Sequence, residues 1–341
     1  MIEPADFYRG KTVLVTGGTG FIGRHIVEQL LAQCAHVVVP VHERPLPREL
    51  AGVDTVTADL TRAEDCLRVT RGVDCIFHAA GSVAGAGVSK AHVMTSIVTN
   101  LVLTSRVLEA AWKNSVSRCL VFSSSTAYPA GDHPVHEYDM WSGPPDDAYF
   151  GYGWMRRYFE LLSEFVSRQS STQVAIVRPT AVYGRHDDFA IATSHFVPAL
   201  VRRAVERAQP FEVWGTGDET RDLLHVTDLA RGCLLALEKH ACADPINIGS
   251  GGPVSVRDVA RIILDAAGYR DADIVFNPAR PSTIPSRIVD CQKAGEVLGF
   301  QPSRTLEDGI ADTVRWYRQS SSSGGVTVPA GNWRQHERTS A

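Results

Sequence analysis

The sequence lacks the features that mark several large classes of protein. No apolar run approaches the roughly 20 residues needed to span a bilayer, and the first residues, MIEPADFYRGK, hold no apolar core of a signal peptide. The seven cysteines are scattered without a C-x-x-C pair, which argues against a disulfide framework. The net charge of -4 gives no electrostatic reason to expect nucleic acid or a membrane surface as partner. These absences predict a soluble cytoplasmic protein.

Regular metal-ligand spacing is missing as well. The closest histidine pair, His133 and His136, lies in a proline-containing loop, so we expect no metal site. Hydrophobic residues make up 44% of the chain and charged residues 21%, as in an ordinary globular protein, and 341 residues are enough for two domains.

A glycine-rich turn near the N-terminus is the strongest local feature. The apolar run Val13–Val15 reads as a buried strand, and Gly17, Gly20 and Gly23 follow it before an amphipathic segment begins. In a strand-turn-helix unit these glycines allow a tight turn, a close approach to a pyrophosphate and close packing of the helix on the sheet. The helix N-terminus adds its positive dipole end. The pattern predicts a dinucleotide-binding site.

Strands and helices alternate through the first half of the chain. Strands are expected at 35–41, 75–81, 118–125 and 172–180, with long helices at 92–112 and 152–168. This alternation predicts an α/β fold with a Rossmann-type, doubly wound parallel sheet. We expect residues 1–183 to form the NAD(P)-binding domain and 184–318 to form mainly a smaller substrate-binding lobe interleaved with the sheet. Residues 319–341 are rich in serine and glycine and are predicted to be a disordered tail.

Three polar side chains combine into a catalytic hypothesis. Ser124 follows a parallel strand at its carboxyl end, where open α/β sheets bind ligands. Tyr152 and Arg156 lie one helical turn apart, and a fixed cation beside a tyrosine favours its ionised form. Such a tyrosine can exchange a proton with a sugar hydroxyl while hydride moves to or from a nicotinamide. By itself the pair would read as a surface contact, but the glycine turn favours catalysis.

Many stretches together resemble one known family. They include TGGTGFIG, ADL, FHAAG, SSSTAY, YGWMR, RPTAVYG, VWGTGDETRDLLHVTDLA, INIGSG and RPSTIPSRIVDCQKAGEVLGF. The chain resembles an extended short-chain dehydrogenase/reductase of the NAD-dependent epimerase/dehydratase family over nearly its whole length. Within that family it is most similar to GDP-L-fucose synthases and GDP-mannose epimerases. The resemblance implies a nucleotide-sugar substrate, an NAD or NADP cofactor and a homodimer built on residues 92–112 and 152–168.

The resemblance also implies roles for individual residues. Ser124, Thr126, Tyr152, Arg156 and His195 fall at catalytic positions, and His195 matches an epimerisation acid, although a structural histidine is as good an interpretation. The implied cofactor-binding residues are Gly17, Gly20, Phe21, Ile22, Gly23, Arg44, Asp59, Leu60, Ala79, Ala80, Tyr152 and Arg156. The implied substrate-binding residues are Ser125, Arg203, Trp214, Arg221 and Arg287, where the arginines could grip a diphosphate or be surface residues.

The chain departs from the family pattern at three positions. Arg156 replaces the usual lysine, Thr126 stands where fucose synthases place a cysteine base, and Ala181 replaces an asparagine. Because threonine is a far poorer base than a thiolate, double epimerisation by that route is in doubt.

Cofactor choice depends on the end of the second strand, where NAD enzymes place an acid. Ungapped counting puts Val41 there, with Arg44 nearby, which mildly favours NADP, while a one-residue shift would bring Glu43 into that role. Asp59 is expected to face the adenine, but it could equally cap the following helix.

The first hypothesis for function is an NAD(P)-dependent nucleotide-sugar epimerase, with GDP as the nucleotide. The second is a 4-keto sugar reductase that consumes NADPH, with or without epimerisation. A 4,6-dehydratase is less favoured because Ser125 and Thr126 stand where that group places its acid and base. A binding protein that has kept the fold but lost turnover is the remaining alternative.

Overall fold

The computed structural model describes residues 6–47, 49–82, 90–131, 133–191, 193–280 and 284–322. Strands and helices alternate through the first half, as predicted. They are β1 (Thr12–Thr16), α1 (Phe21–Ala32), β2 (His36–Val41), β3 (Asp54–Thr57), α2 (Ala63–Val69), β4 (Cys75–His78), α3 (Lys90–Lys113), β5 (Arg118–Phe122), α4 (Phe150–Gln169) and β6 (Gln173–Pro179).

The second half is made of shorter elements. They are β7 (Ala181–Tyr183), α5 (Phe196–Val205), β8 (Phe211–Trp214), β9 (Thr220–His225), α6 (Val226–Lys239), β10 (Ile246–Ile248), β11 (Pro253–Ser255), α7 (Val256–Ala267), β12 (Ile274–Asn277), β13 (Ser286–Arg287) and α8 (Leu306–Ser322). Helix α8 reaches Ser322, so the tail predicted from residue 319 starts too early, and residues 323–341 lie outside the described part.

The main sheet has seven parallel strands in the order β10-β6-β5-β4-β1-β2-β3. From β1 the chain adds β2 and β3 on one side, and it then adds β4, β5 and β6 on the other side. In open α/β sheets, ligands bind outside the carboxyl ends of the strands at the point where this order changes side. The predicted doubly wound parallel sheet is therefore confirmed. The seventh strand, β10, comes from the second half of the chain, where the sequence analysis placed no individual strand.

Helices cover both faces of this sheet. One core contains buried residues of α1 and α6, and the other contains those of α2, α3 and α4. Because α6 and β10 belong to the second half of the chain, that half contributes both a covering helix and a strand to the main sheet. A third core joins α5, α7 and α8. Next to this third core, β11, β9 and β13 form a small sheet, with β7 also paired to β9, while β8 and β12 pair separately.

No helix in the described residues is both long enough and apolar enough to cross a membrane.

Candidate functional site

The glycine-rich turn connects β1 to α1 and packs against the residues that follow β4. Gly17 has a left-handed backbone (φ 68°), and a Cβ there would lie 2.6 Å from the Ala79 carbonyl carbon and the Ala80 nitrogen. A Cβ on Gly23 would lie 2.1 Å from the Gly17 carbonyl oxygen. The hydroxyl of Thr16 accepts a bond from the Ala80 N–H (3.1 Å). Only glycine fits at Gly17 and Gly23, so the backbone at this edge is as close as the predicted dinucleotide site requires.

The N-terminus of α1 is open to an anion. Its N-cap residue is Gly20, which supplies no side-chain hydrogen bond, and the first turn carries no acidic residue. Phe21 and Ile22 are half-buried and leave the first-turn N–H groups uncapped by side chains. Unsatisfied N–H groups at the positive end of a helix bind phosphate. These residues fit the diphosphate of a dinucleotide.

The residues predicted to contact the adenosine part of the cofactor lie after β2 and β3. Strand β2 ends at Val41, and Glu43 and Arg44 are exposed beyond it. Leu60 is buried, whereas Asp59 lies in a local turn where its Oδ1 accepts bonds from the Thr61 N–H and hydroxyl (2.9 and 2.7 Å).

These two bonds hold the pKa of Asp59 below its usual value. The alternative that Asp59 caps the next helix is wrong, because α2 has Arg62 as its N-cap residue.

Ser124 and Thr126 form a hydrogen-bonded pair at the carboxyl end of β5. The Ser124 Oγ accepts from the Thr126 N–H (3.1 Å) and from the Thr126 hydroxyl (3.0 Å). The Thr126 hydroxyl is therefore already engaged as a donor. Ser125, between them, is buried with 5% of its surface exposed.

Tyr152 and Arg156 lie on α4 beside this strand end. The Tyr152 hydroxyl is buried and has no hydrogen-bond partner in the described part of the chain. Arg156 donates through Nη1 to the Phe122 carbonyl oxygen (2.7 Å), at the last residue of β5. Burial lowers the pKa of Arg156 to about 10, and attraction to Tyr152 acts in the opposite direction. A buried hydroxyl without a hydrogen-bond partner destabilises the folded protein. Such a group beside a fixed cation is typical of a reactive side chain whose partner is a ligand.

A buried polar network behind this pair escaped the sequence analysis. Arg178 on β6 donates to both carboxylate oxygens of Glu160 (2.8 and 2.6 Å) and to the Tyr128 hydroxyl (2.9 Å). The Tyr128 hydroxyl donates to Asn247 Oδ1 (2.6 Å). Glu160 lies two turns after Tyr152 on α4, and Tyr128 follows the Ser124 turn. The network thus joins the two elements that carry the candidate catalytic hydroxyls. The sequence did contain a signal for this network, because Arg178 and Glu160 each lie inside an apolar stretch.

His195 is the N-cap residue of α5 and is exposed, with its Nδ1 4.0 Å from an oxygen of Asp187. The Asp187 side chain is 4% exposed, and its other oxygen is buried without a partner among the described residues. The Asp187 carboxylate raises the pKa of His195, while burial raises the pKa of Asp187. Asp187 was not identified from the sequence, because its burial depends on the loop around it.

The predicted substrate-binding residues separate into two groups. Arg221 and Arg287 are register partners on β9 and β13, and burial lowers the pKa of each. Arg287 donates to the Pro129 carbonyl oxygen (3.0 Å), and its Nε is buried without a partner in the described residues.

Arg203 and Trp214 form the second group, where the guanidinium lies 6.0 Å from the indole centre. Arg280, which the sequence analysis did not select, lies over the same ring at 5.5 Å.

One cluster of possible metal ligands occurs in the described residues, after α6. It consists of His240, Cys242 and Asp244. Asp244 is already paired with Lys293 at 2.6 Å and with His240 at 3.1 Å.

Comparison with known proteins agrees with the predicted resemblance. Residues 13–249 match the family described as the NAD dependent epimerase/dehydratase family. A dTDP-4-dehydro-6-deoxy-D-allose reductase from Streptomyces bikiniensis is 33% identical, over 92% of this chain and 98% of the relative. A GDP-L-fucose synthase from Sinorhizobium fredii is 28% identical, over 90% and 96%.

Among solved structures, the UDP-glucose 4-epimerase of Thermotoga maritima with UDP-glucose has a TM-score of 0.81. It is 26% identical, over 91% of this chain and 99% of that one.

Proposed function

Because the chain belongs to the NAD-dependent epimerase/dehydratase family, we propose that it reduces a 4-keto nucleotide sugar at the expense of a reduced nicotinamide cofactor. The observation that carries this proposal is the buried, unpartnered hydroxyl of Tyr152 beside Arg156. A phenol in this position can give its proton to a carbonyl oxygen, and the adjacent cation stabilises the anion that remains.

The local hydrogen bonds support a direction for each proton. The Ser124 oxygen already accepts two bonds from Thr126, so its own hydrogen is available to donate to a substrate oxygen. Tyr152 would protonate the same oxygen while the nicotinamide, when bound, supplies hydride to the carbonyl carbon. Arg156, anchored on Phe122, keeps its charge close to the phenol throughout.

The choice of reduction over double epimerisation rests on Thr126. Its hydroxyl donates to Ser124, and it has no thiolate that could remove a proton from carbon. The reductase from Streptomyces bikiniensis, 33% identical over almost its full length, supports the same choice.

Recognition of the nucleotide diphosphate is assigned to Arg221 and Arg287. They are register partners on adjacent strands, and burial, which opposes the charge of each guanidinium, lowers both pKa values. The diphosphate, with one negative charge on each phosphate, would neutralise both, since a guanidinium binds phosphate oxygens through paired N–H groups. Arg203, Trp214 and Arg280 would contact the remainder of the substrate, and His195 with Asp187 would face the sugar.

Two further parts of the proposal concern the cofactor and the assembly. NADPH is favoured over NADH because β2 ends at Val41 without an acid and Arg44 is exposed just beyond. A homodimer is proposed through α3 and α4, whose exposed apolar side chains include Trp112, Leu161 and Phe165.

A nucleotide-sugar epimerase is the second candidate, favoured by the likeness to the UDP-glucose 4-epimerase. The same tyrosine would then first accept a proton from a sugar hydroxyl and later return it. The two candidates differ in their use of cofactor, because an epimerase regenerates it in every turnover and a reductase consumes it.

Incubation of the protein with NADPH and a panel of dTDP-, GDP- and UDP-linked 4-keto-6-deoxy sugars tests the proposal. Loss of one NADPH for each reduced sugar supports the reductase. Conversion of an alcohol epimer without loss of added cofactor would replace it with the epimerase. Binding of both ligands without any conversion, in every combination, would contradict both.

A further inference from the structure

The turn after α6 brings a histidine, a cysteine and a carboxylate together. His240, Cys242 and Asp244 occur at every second residue, and their ligand atoms all lie within 4.8 Å of one another. The Cys242 Sγ is 3.6 Å from each ring nitrogen of His240, and the Asp244 Oδ2 is 3.1 Å from the His240 Nε2. Imidazole, thiolate and carboxylate are the three kinds of side chain that bind zinc in proteins.

The distances between these atoms fit a tetrahedral metal ion. With metal bonds of roughly 2.0 Å to nitrogen and oxygen and roughly 2.3 Å to sulfur, two ligand atoms of a tetrahedral site are roughly 3.3–3.6 Å apart. The separations of 3.1 Å between nitrogen and oxygen and 3.6 Å between nitrogen and sulfur are close to these values. An ion that replaced the hydrogen between His240 and Asp244 would therefore require only small movements of the side chains.

Contacts with neighbouring elements hold the turn in this conformation. Ala243, between the cysteine and the carboxylate, has a left-handed backbone (φ 58°), and its N–H donates to the Val174 carbonyl oxygen on β6 (2.7 Å). The Lys293 ammonium donates to the Asp244 Oδ1 (2.6 Å), which leaves Oδ2 for an ion. An outer hydrogen bond of this kind orients a ligating carboxylate. The fold itself thus holds the three side chains near one another.

The surroundings favour a cation that accepts nitrogen and sulfur ligands. His240 is the C-cap residue of α6, and the C-terminal end of a helix attracts positive charge, which offsets part of the repulsion from the Lys293 ammonium. Mg²⁺ and Ca²⁺ prefer oxygen ligands, whereas a thiolate favours zinc. The Asp244 side chain is 52% exposed and Cys242 is also exposed, so an ion has access to the site from solvent.

We propose that the His240 Nε2, the Cys242 Sγ and the Asp244 Oδ2 bind one Zn²⁺ ion, with water as the fourth ligand. Cys242 binds as the thiolate and gives its proton to solvent. The turn leads into β10 and bonds to the second residue of β6, so the site lies at the amino edge of the main sheet, opposite the candidate catalytic side chains. The ion stabilises this edge of the sheet and takes no part in the proposed reaction.

Calorimetric titration of the chelator-treated, full-length protein with ZnCl₂, in a buffer that contains Mg²⁺ but neither cofactor nor sugar, tests the inference. The wild type is expected to bind one Zn²⁺ for each chain. Cys242→Ser should weaken this binding at least about tenfold, because even the loss of an outer hydrogen-bond partner has that effect. Cys34→Ser, the same change at another exposed cysteine, is the matched control and should leave the affinity unchanged. With Co²⁺, a cobalt–thiolate absorption band should appear in the wild type and in Cys34→Ser but not in Cys242→Ser.

Three results would overturn the inference. The wild type would have no such site if it bound no Zn²⁺ saturably. Unchanged affinity in Cys242→Ser would place the ion on other residues, and equal weakening in Cys34→Ser would mean that exposed thiols bind zinc without a built site. If Cys242→Ser does not fold, unchanged affinity in a folded Asp244→Asn protein, which keeps an oxygen for Lys293, contradicts the inference equally well. Because the titration uses neither cofactor nor sugar, its outcome is separate from that of the proposed function.

Discussion

Replacing Tyr152 with phenylalanine is expected to stabilise the protein while removing most of its activity. The change removes a buried hydroxyl that has no partner in the described residues. An unsatisfied buried polar group costs about 1–3 kcal/mol, so Tyr152→Phe should raise the free energy of unfolding by about 1 kcal/mol. For a chain of this size that corresponds to a melting temperature roughly 2 °C higher. Turnover should fall by about 10²- to 10⁴-fold, the usual contribution of a positioned acid.

The same chemical change at Tyr128 provides the matched control. Its hydroxyl donates to Asn247 (2.6 Å) and accepts from the buried Arg178 (2.9 Å). Loss of one neutral and one charge-assisted bond should lower the free energy of unfolding by about 2–4 kcal/mol.

Urea unfolding of both variants without ligands, together with cofactor-binding measurements, gives the comparison. Equal destabilisation by Tyr152→Phe and Tyr128→Phe would refute the reasoning, because it would mean that the fold itself satisfies the Tyr152 hydroxyl. Wild-type turnover in Tyr152→Phe would remove the proposed proton donor.

Three other predictions concern the network, pH and assembly. Glu160→Gln breaks the buried ion pair with Arg178 (2.6 Å) and should lower the free energy of unfolding by about 3–5 kcal/mol. Glu164→Gln breaks an exposed ion pair on the same helix and should lower it by at most about 0.5 kcal/mol. Equal losses in urea unfolding would contradict this. Burial lowers the pKa of His78 from 6.5 to about 4. Below pH 6.5 the unfolded chain binds a proton that the fold does not, so stability falls as pH drops towards 4, by about 1.4 kcal/mol per pH unit from this residue. In His78→Asn the slope of stability against pH should be shallower by one proton, and an unchanged slope would show that His78 is not the group. Phe165→Arg should convert the proposed dimer to a monomer in sedimentation velocity, and sedimentation identical to the wild type would place the interface elsewhere.

The sequence predicted what local patterns determine. The glycine turn, β1, α1 and the parallel sheet were recognisable because hydrophobic periodicity and turn residues act over a few positions. The three-residue strand β10 was not, since Ile246–Ile248 becomes a strand only by pairing with β6 across some 70 residues of chain.

The same limit applies to the site. Ser124, Tyr152 and Arg156 could be selected because each follows a recognisable strand end or helical spacing. Asp187 and the Glu160–Arg178 pair could not, because their importance comes from burial and from partners distant in the chain. Asp59 was expected to face the adenine or to cap the following helix, and its actual side-chain partner, Thr61, could not be predicted because it depends on where α2 begins.

The central claim is tested most directly by following NADPH and sugar together. With a dTDP-linked 4-keto-6-deoxy sugar, the account predicts loss of one NADPH for each new sugar hydroxyl and transfer of deuterium from labelled cofactor to the carbinol carbon. It also predicts that the Tyr152→Phe protein binds both ligands but forms product about 10²- to 10⁴-fold more slowly. Formation of an epimer by the wild-type protein with no deuterium from the added cofactor would contradict the account.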